Sequence, residues 1–282
     1  MIGAPEAVDR QLVVTLTSIP PRYQNLPSRF RAIENQTRRP DRVQLTLPRQ
    51  YRRFPGERPS LPPLPEWVEV VDCDEDHGPA TKLLPAVHRW LGTPTDLLVC
   101  DDDRRQDNRW IERLDTARKQ RPADIVCERG WNILDRFGLE QRDPKLPRAQ
   151  QNARGGRTVS YKLLRAVSIG RLHPARRLFD QAGYVDVLEG FLGAIIPVEA
   201  IPITRAFDIP GVLWTVDDVW ISGMAASNGV GVWVHDIPRP VYSDGAFDRV
   251  HALRQYVEDG IGREAADQLA VEYLRNVVGV WR

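Results

Sequence analysis

Leu97-Leu98-Val99-Cys100-Asp101-Asp102-Asp103 is a short apolar run that ends abruptly in three carboxylates. The run reads as a buried strand. Its carboxyl end is the edge where open α/β sheets bind ligands. Three adjacent like charges repel and weaken a compact chain unless a cation sits among them. Carboxylates in a turn suit a hard divalent ion such as Mg²⁺ or Mn²⁺. The stretch therefore points to a metal-dependent enzyme acting on something rich in phosphate.

Working outward, residues 12–16 read as a strand. Residues 23–35 read as a helix, with Leu26, Phe30 and Ile33 at helical spacing. Strands follow at 43–47 and 67–71, separated by a Pro- and Arg-rich connection at 48–65 that is too rich in proline for regular structure. A helix at 81–91, the strand at 96–100, a helix at 108–119 and a strand at 124–127 complete the first half. This alternation implies an α/β fold, a mostly parallel sheet with helices on both faces. The second half is less regular. Residues 136–177 hold eleven Lys or Arg against Glu140 and Asp143, and read as a long basic loop, solvated for the most part, with a few arginines available to close over an anion. Residues 192–196 read as a strand, 216–228 as a helix and 230–234 as a strand. From Asp248 onward the chain reads as one or two amphipathic helices packed through Ala265, Leu269, Val271, Tyr273 and Leu274.

The whole chain has 282 residues, enough for one large domain or two small ones. Its 39 basic and 38 acidic residues leave no global field that would argue for nucleic acid. Cys73, Cys100 and Cys127 have neither CxxC spacing nor an even count, and read as reduced residues of a cytoplasmic protein. No apolar stretch has signal-peptide or bilayer-spanning length, which leaves peripheral association with a membrane-borne acceptor open.

Four motifs carry the chemistry. A turn with a helix cap also uses aspartate, but three in a row after an apolar strand favour metal or phosphate binding. In an extended segment Asp101 and Asp103 would share one side while Asp102 points away. The helical DDxxD pattern of isoprenoid enzymes does not fit, because Gln106 stands three positions beyond Asp103 in an alternating α/β chain. Gly78-Pro79-Ala80-Thr81-Lys82 reads as small residues opening a helix, where backbone N–H groups meet an anion and Lys82 meets a phosphate or the acidic cluster. Trp214-Thr215-Val216-Asp217-Asp218-Val219-Trp220 sets two carboxylates between two tryptophans, a sugar-stacking platform beside a proton acceptor. Its bland alternative is a capping box from Thr215 to Asp218. His235, after the 230–234 strand, is a candidate third metal ligand, with His251 its rival.

Together these residues resemble bacterial glycosyltransferases of the GT-A (Rossmann-like) fold, in the broad neighbourhood of family 2. The likeness is carried by Val13 through Arg22, Asp74 through Leu83 and Leu97 through Asp103, and more weakly by Glu189 through Gly193 with Val216 through Gly223. The resemblance implies a glycosyltransferase domain over residues 1–245 with a C-terminal helical tail over 246–282. It implies nucleotide contacts from Thr17 and Arg22, Lys82 near the diphosphate, Asp101 at the ribose with Asp102 beside it, and Asp103 on Mn²⁺ or Mg²⁺. Gly190 and Gly193 would line the donor-sugar pocket, with Trp214 against the donor. Asp218 would match the base of inverting members, although Asp217-Asp218 replaces the usual Glu-Asp and leaves the choice between the two open. The implied reaction moves a sugar from a nucleotide-sugar donor, a UDP-sugar in preference, to a hydroxyl of a carbohydrate or glycoconjugate. The alternatives are a sugar-phosphate nucleotidyltransferase, whose Gly-rich first loop is missing here, and a catalytically silent carbohydrate-binding protein.

Overall fold

The structure, a computed structural model, describes residues 9–104, 106–153, 155–169, 174–240, 253, 256–257 and 260–282. The first half alternates as the sequence implies: β1 (Gln11–Leu16), α1 (Leu26–Glu34), β2 (Arg42–Pro48), β3 (Val68–Cys73), α2 (Leu84–Trp90), β4 (Thr95–Val99), α3 (Trp110–Gln120) and β5 (Ile125–Cys127). The basic segment holds short elements: β6 (Gly130–Trp131), α4 (Ile133–Phe137), β7 (Gln150–Gln151) and α5 (Val159–Val167). Then come β8 (Phe179–Gln181), β9 (Gly183–Val185), β10 (Val187–Leu188), β11 (Ala194–Pro197), α6 (Ile203–Ala206), α7 (Asp217–Ser227), β12 (Val232–Val234) and α8 (Arg263–Tyr273).

Eight strands form one sheet in the order β3-β2-β1-β4-β11-β5-β12-β9. β1 to β5 and β12 run in one direction, while β11 and β9 run against it. The sheet is thus mostly parallel, and six strands deliver their carboxyl ends to one edge. Side chains alternate across it. Val13, Leu97, Val99, Cys127 and Ile196 face a core shared with α2, α7 and α8. Leu12, Val14, Leu98, Cys100 and Ile195 face a second core under α1 and α3. β4 is buried along its whole length, so its apolar run has no solvent face to break it with polar residues.

Four local readings change. The expected helix from residue 23 begins as a 3-10 turn, Pro20–Asn25, before α1. Gly78–Lys82 is likewise a 3-10 turn and α2 starts only at Leu84, so Lys82 ends a turn rather than opening a helix. The basic segment is partly helical rather than one loop. In α8 the expected packing positions Val271 and Leu274 are buried and Tyr273 packs beside them, but Ala265 and Leu269 are exposed and Ala266 and Ala270 take their place in the core with α7. The expected boundary at 245/246, the start of the tail at Asp248 and the rival ligand His251 lie outside the described residues. Among the described residues no helix is long and apolar enough to cross a membrane.

Candidate active site

The backbone after β4 leaves the sheet in a turn, and this decides where the three aspartates go. Asp101 keeps the strand's alternation and faces the α7 side, where Lys82 Nζ lies 2.8 Å from its Oδ1. Asp102 faces the α1 side, accepting from Ser18 Oγ at 2.5 Å and from Arg22 Nη1 at 3.0 Å. Asp103 does not return to Asp101's side as an extended segment would require. The turn brings it beside Asp102, with its Oδ2 2.9 Å from the same Arg22 nitrogen.

Lys82 is placed from three directions. Thr15 Oγ1 of β1 donates to its carbonyl at 2.5 Å. The turn that carries it is held by Asp76, whose carboxylate accepts from Gly78 N and from Arg52 N, each at 2.8 Å. Gly78 has φ +59°, and a Cβ there would lie 2.7 to 3.0 Å from Trp214 atoms, so this turn needs glycine on both counts. The Lys82 ammonium, itself buried, also pairs with Asp217 Oδ2 at 2.9 Å. One cation therefore joins the aspartate turn after β4 to the acids that open α7. Arg22 does the same for Asp102 and Asp103.

α7 begins at Asp217, with Val216 at its N-cap and no side-chain cap. The capping box from Thr215 is not formed; the Thr215 carbonyl instead accepts from Arg263 Nη1 of α8 at 2.7 Å. Asp218 takes a different partner from Asp217: its Oδ1 accepts from Gly190 N at 3.1 Å. A Cβ on Gly190 would fall 2.8 Å from that oxygen, so glycine permits the approach.

Charge in this cluster is unevenly compensated. Burial alone would depress the Lys82 ammonium's pKa, but Asp101, Asp217 and Asp218 outweigh it and hold the group well above its usual value. Burial alone would raise Asp101, yet Lys82 brings it below the usual carboxylate range. Burial raises Asp102 in spite of Arg22. Burial and then the neighbouring Asp101 and Asp102 push Asp103 up to about 7. Burial and then Asp217 hold Asp218 well above the usual range. Asp103 Oδ1 is buried and accepts no hydrogen bond, and the Arg104 guanidinium stands 3.9 Å away. An acid in excess with an open oxygen fits a hard cation, which in phosphate sites is commonly held by one or two carboxylates plus the substrate's own oxygens. Among the described residues no cluster of three His, Cys, Asp or Glu side chains is arranged as a ready metal cage.

One cavity of about 220 Å³ gathers Thr17, Arg22, Lys82, Asp101, Asp102, Asp103, Trp214, Asp217 and Asp218. Volume does not choose it, since a cleft of about 450 Å³ around Arg142, Lys145 and Arg282 holds none of these residues. Gly190 sits behind Asp218. Gly193 does not reach the cavity: at φ +102° it packs on Trp110, whose ring a Cβ would meet at 2.5 Å. Trp214 forms a wall rather than an open platform, with Gly78 against its ring, Arg52 5.1 Å from the ring and its Nε1 donating to the Asp76 carbonyl at 2.8 Å. Trp220 is a core residue that donates to the Ala206 carbonyl.

His235 is the clear correction. Val99, Ala194, Cys127 and Val234 lie in one register row across β4, β11, β5 and β12. Three strand spacings put the chain at His235 about 14 Å from the start of the aspartate turn. His235 is buried there, and burial, then Arg113 and Arg239, lowers its pKa to about 3.

The cavity also has walls that motif reading missed. Tyr51, Arg53 and Phe54 come from the Pro-rich connection, and Asp76 from the acidic turn. The carboxyl-end rule applied to β2 would have found the first three. Arg263, reaching back from α8, has no local sequence signal at all.

No protein-family model matches the chain, and no curated protein matches it. Among solved structures it is similar to residues 1–349 of TarS from S. aureus, solved in complex with UDP, at 11% identity and a TM-score of 0.43. That alignment covers 83% of this chain and 60% of the TarS chain.

Proposed function

We propose that this chain is a glycosyltransferase that moves a sugar from a nucleoside-diphosphate donor, a UDP-sugar in preference, to a hydroxyl of a carbohydrate or glycoconjugate, inverting the anomeric centre. The observation that carries the reading is Lys82: its ammonium lies within 2.9 Å of carboxylates from two motifs far apart in sequence, and both motifs face one cavity. The acids of α7 supply a proton acceptor, and the turn after β4 supplies oxygen ligands for the counter-ion of the donor's diphosphate.

Asp103, with its open Oδ1, would hold Mn²⁺ or Mg²⁺. When bound, such an ion neutralises charge on the departing diphosphate. Lys82 and Arg22 present fixed positive charge at the same edge, aimed where negative charge develops. Asp218 is the better base of the pair. Asp217 is occupied by Lys82, whereas Asp218 keeps only a backbone donor and a raised proton affinity, which suits a general base. The acceptor oxygen attacks the anomeric carbon, its proton passes to Asp218, and the bond from that carbon to the phosphate oxygen breaks with its electron pair leaving on the nucleoside diphosphate.

Calorimetric titration with UDP and GDP, each with and without Mn²⁺, tests the reading. Metal-dependent binding of one nucleotide, lost in Asp103→Ala, is the expected result. Binding of neither nucleotide under any condition would refute the donor site.

A further inference from the structure

The helix α5 has no buried residue. Val159, Leu163 and Val167 recur at i, i+4 and i+8, and are 82%, 63% and 76% exposed. Leu164 and, just past the helix, Ile169 are exposed as well. A helix of ordinary amphipathic pattern turns such a stripe inward; this one does the reverse. Its orientation is set by contacts on another side. Tyr161 lies over the Arg176 guanidinium at 5.3 Å, and Arg176 in turn donates to the Gly155 carbonyl at 2.6 Å and pairs through its backbone with Arg239. Tyr161 stands roughly 160° around the helix from the centre of the Val159–Leu163–Val167 stripe, at about 100° per residue. The side that touches the domain is therefore nearly opposite the apolar side. Thr158 caps the helix by accepting from Tyr161 N at 3.2 Å, so the segment has its own start signal and does not depend on burial to begin.

We propose that α5 lies on an anionic bilayer surface, its apolar stripe entering the headgroup boundary. Charge favours this occupant. Arg157 and Lys162 are exposed at the helix, α5 contains no acid, and the surrounding residues 136–177 carry eleven basic groups against two acidic ones. A short helix with an apolar stripe and basic flanks binds an acidic interface by shallow insertion plus attraction to lipid charge. Area disfavours a second copy of the chain, since a stable dimer buries about 800 Å² a side from some 20–30 residues. Nine helical residues with like-charged flanks fall well short of that.

The test is cosedimentation of the full chain with vesicles of phosphatidylcholine alone and of phosphatidylcholine mixed with phosphatidylglycerol. The chain is expected to pellet with the anionic vesicles and to be released by salt. Leu163→Glu with Val167→Glu changes only exposed positions and should reduce partitioning at least tenfold. Lys162→Ala should reduce it about fivefold, the ~1 kcal/mol of one basic side chain at an acidic surface. UDP titration of both variants should match the parent protein, which separates this surface from the donor site. Equal pelleting of parent and double variant, or no pelleting of the parent, would overturn the proposal. So would light scattering that finds a dimer made monomeric by the double variant with no vesicle binding.

Discussion

Two clusters of buried charge sit along the same sheet edge and are built differently. Around Glu128, Arg113 clasps Asp107 with two bonds of 2.6 and 2.7 Å and donates to Glu128 at 2.8 Å, while Arg239 pairs with Glu128 at 2.9 Å. Two acids meet two guanidiniums, and Glu128 is fully buried. Around Lys82, five carboxylates share Lys82, Arg22 and, at 3.9 Å, Arg104 as their close cations, and the group opens on a cavity. The first cluster balances its charges, two acids against two guanidiniums, and Glu128 Oε2, which accepts no hydrogen bond, is still met by the Arg239 guanidinium at 2.9 Å. The second carries surplus negative charge and an open oxygen on Asp103, so a ligand can complete it. Carboxylates at the carboxyl end of a strand are therefore not enough to mark a site; the excess is what distinguishes it.

The largest expected effect breaks the open cluster. Asp218→Asn should lower turnover about a thousandfold, the scale of general-base catalysis, while nucleotide affinity stays near that of the parent. Asparagine keeps the shape of the side chain and an oxygen that can accept from Gly190 N, so thermal stability should change little. Nucleotide affinity that collapsed together with turnover would place Asp218 in the fold rather than in the chemistry.

The closed cluster should respond in the opposite way. Glu128→Ala leaves Arg239 and part of Arg113 buried without a partner, a loss of about 3–5 kcal/mol. Thermal melting would show it, and Glu128→Gln provides a milder version if the alanine variant does not accumulate. An unchanged melting temperature in Glu128→Gln would contradict the closed reading.

What was legible in sequence follows from the range of the forces involved. β4 and the Asp101–Asp103 run could be read because burial and like-charge repulsion act on neighbours. Lys82 could be named but not its role as a clamp, since Asp217 reaches it only through the packing of α7 on the 3-10 turn. The direction of β11 has no local signature: Ala194-Ile195-Ile196-Pro197 would be as apolar running either way. That insertion between β4 and β5 widened the sheet and carried His235 away from the aspartates. Tyr51 and Phe54 were hidden by prolines that correctly excluded regular structure yet said nothing of walls.

The clusters should also tilt the pH profile in opposite senses. His235, beside Arg113 and Arg239, has its folded pKa lowered from 6.5 to about 3. The unfolded chain then takes up a proton that the folded chain refuses, so stability present above 6.5 is lost as pH falls toward 3. Asp103, raised from 3.8 to about 7, does the reverse: the folded chain keeps the extra proton, and stability present below 3.8 is lost as pH rises through 7. Thermal melts across this range should show a shallower acid limb in His235→Asn and a shallower neutral limb in Asp103→Asn. Parallel profiles for the parent and both variants would remove the contrast.

The smallest effect tests the start of α7. Were Thr215 the cap of that helix, losing its hydroxyl would cost about 1 kcal/mol. In the structure the helix starts one residue later in the chain, at Asp217 after an N-cap Val216, and Thr215 contributes its carbonyl to Arg263 instead. Thr215→Val keeps the shape of the side chain and the backbone acceptor, so stability should not fall by the amount that loss of a cap would cost. Urea denaturation resolves the difference. A loss near 1 kcal/mol would return Asp218 to a helix-capping role, and with it the main reason for placing the proton acceptor on α7 would go.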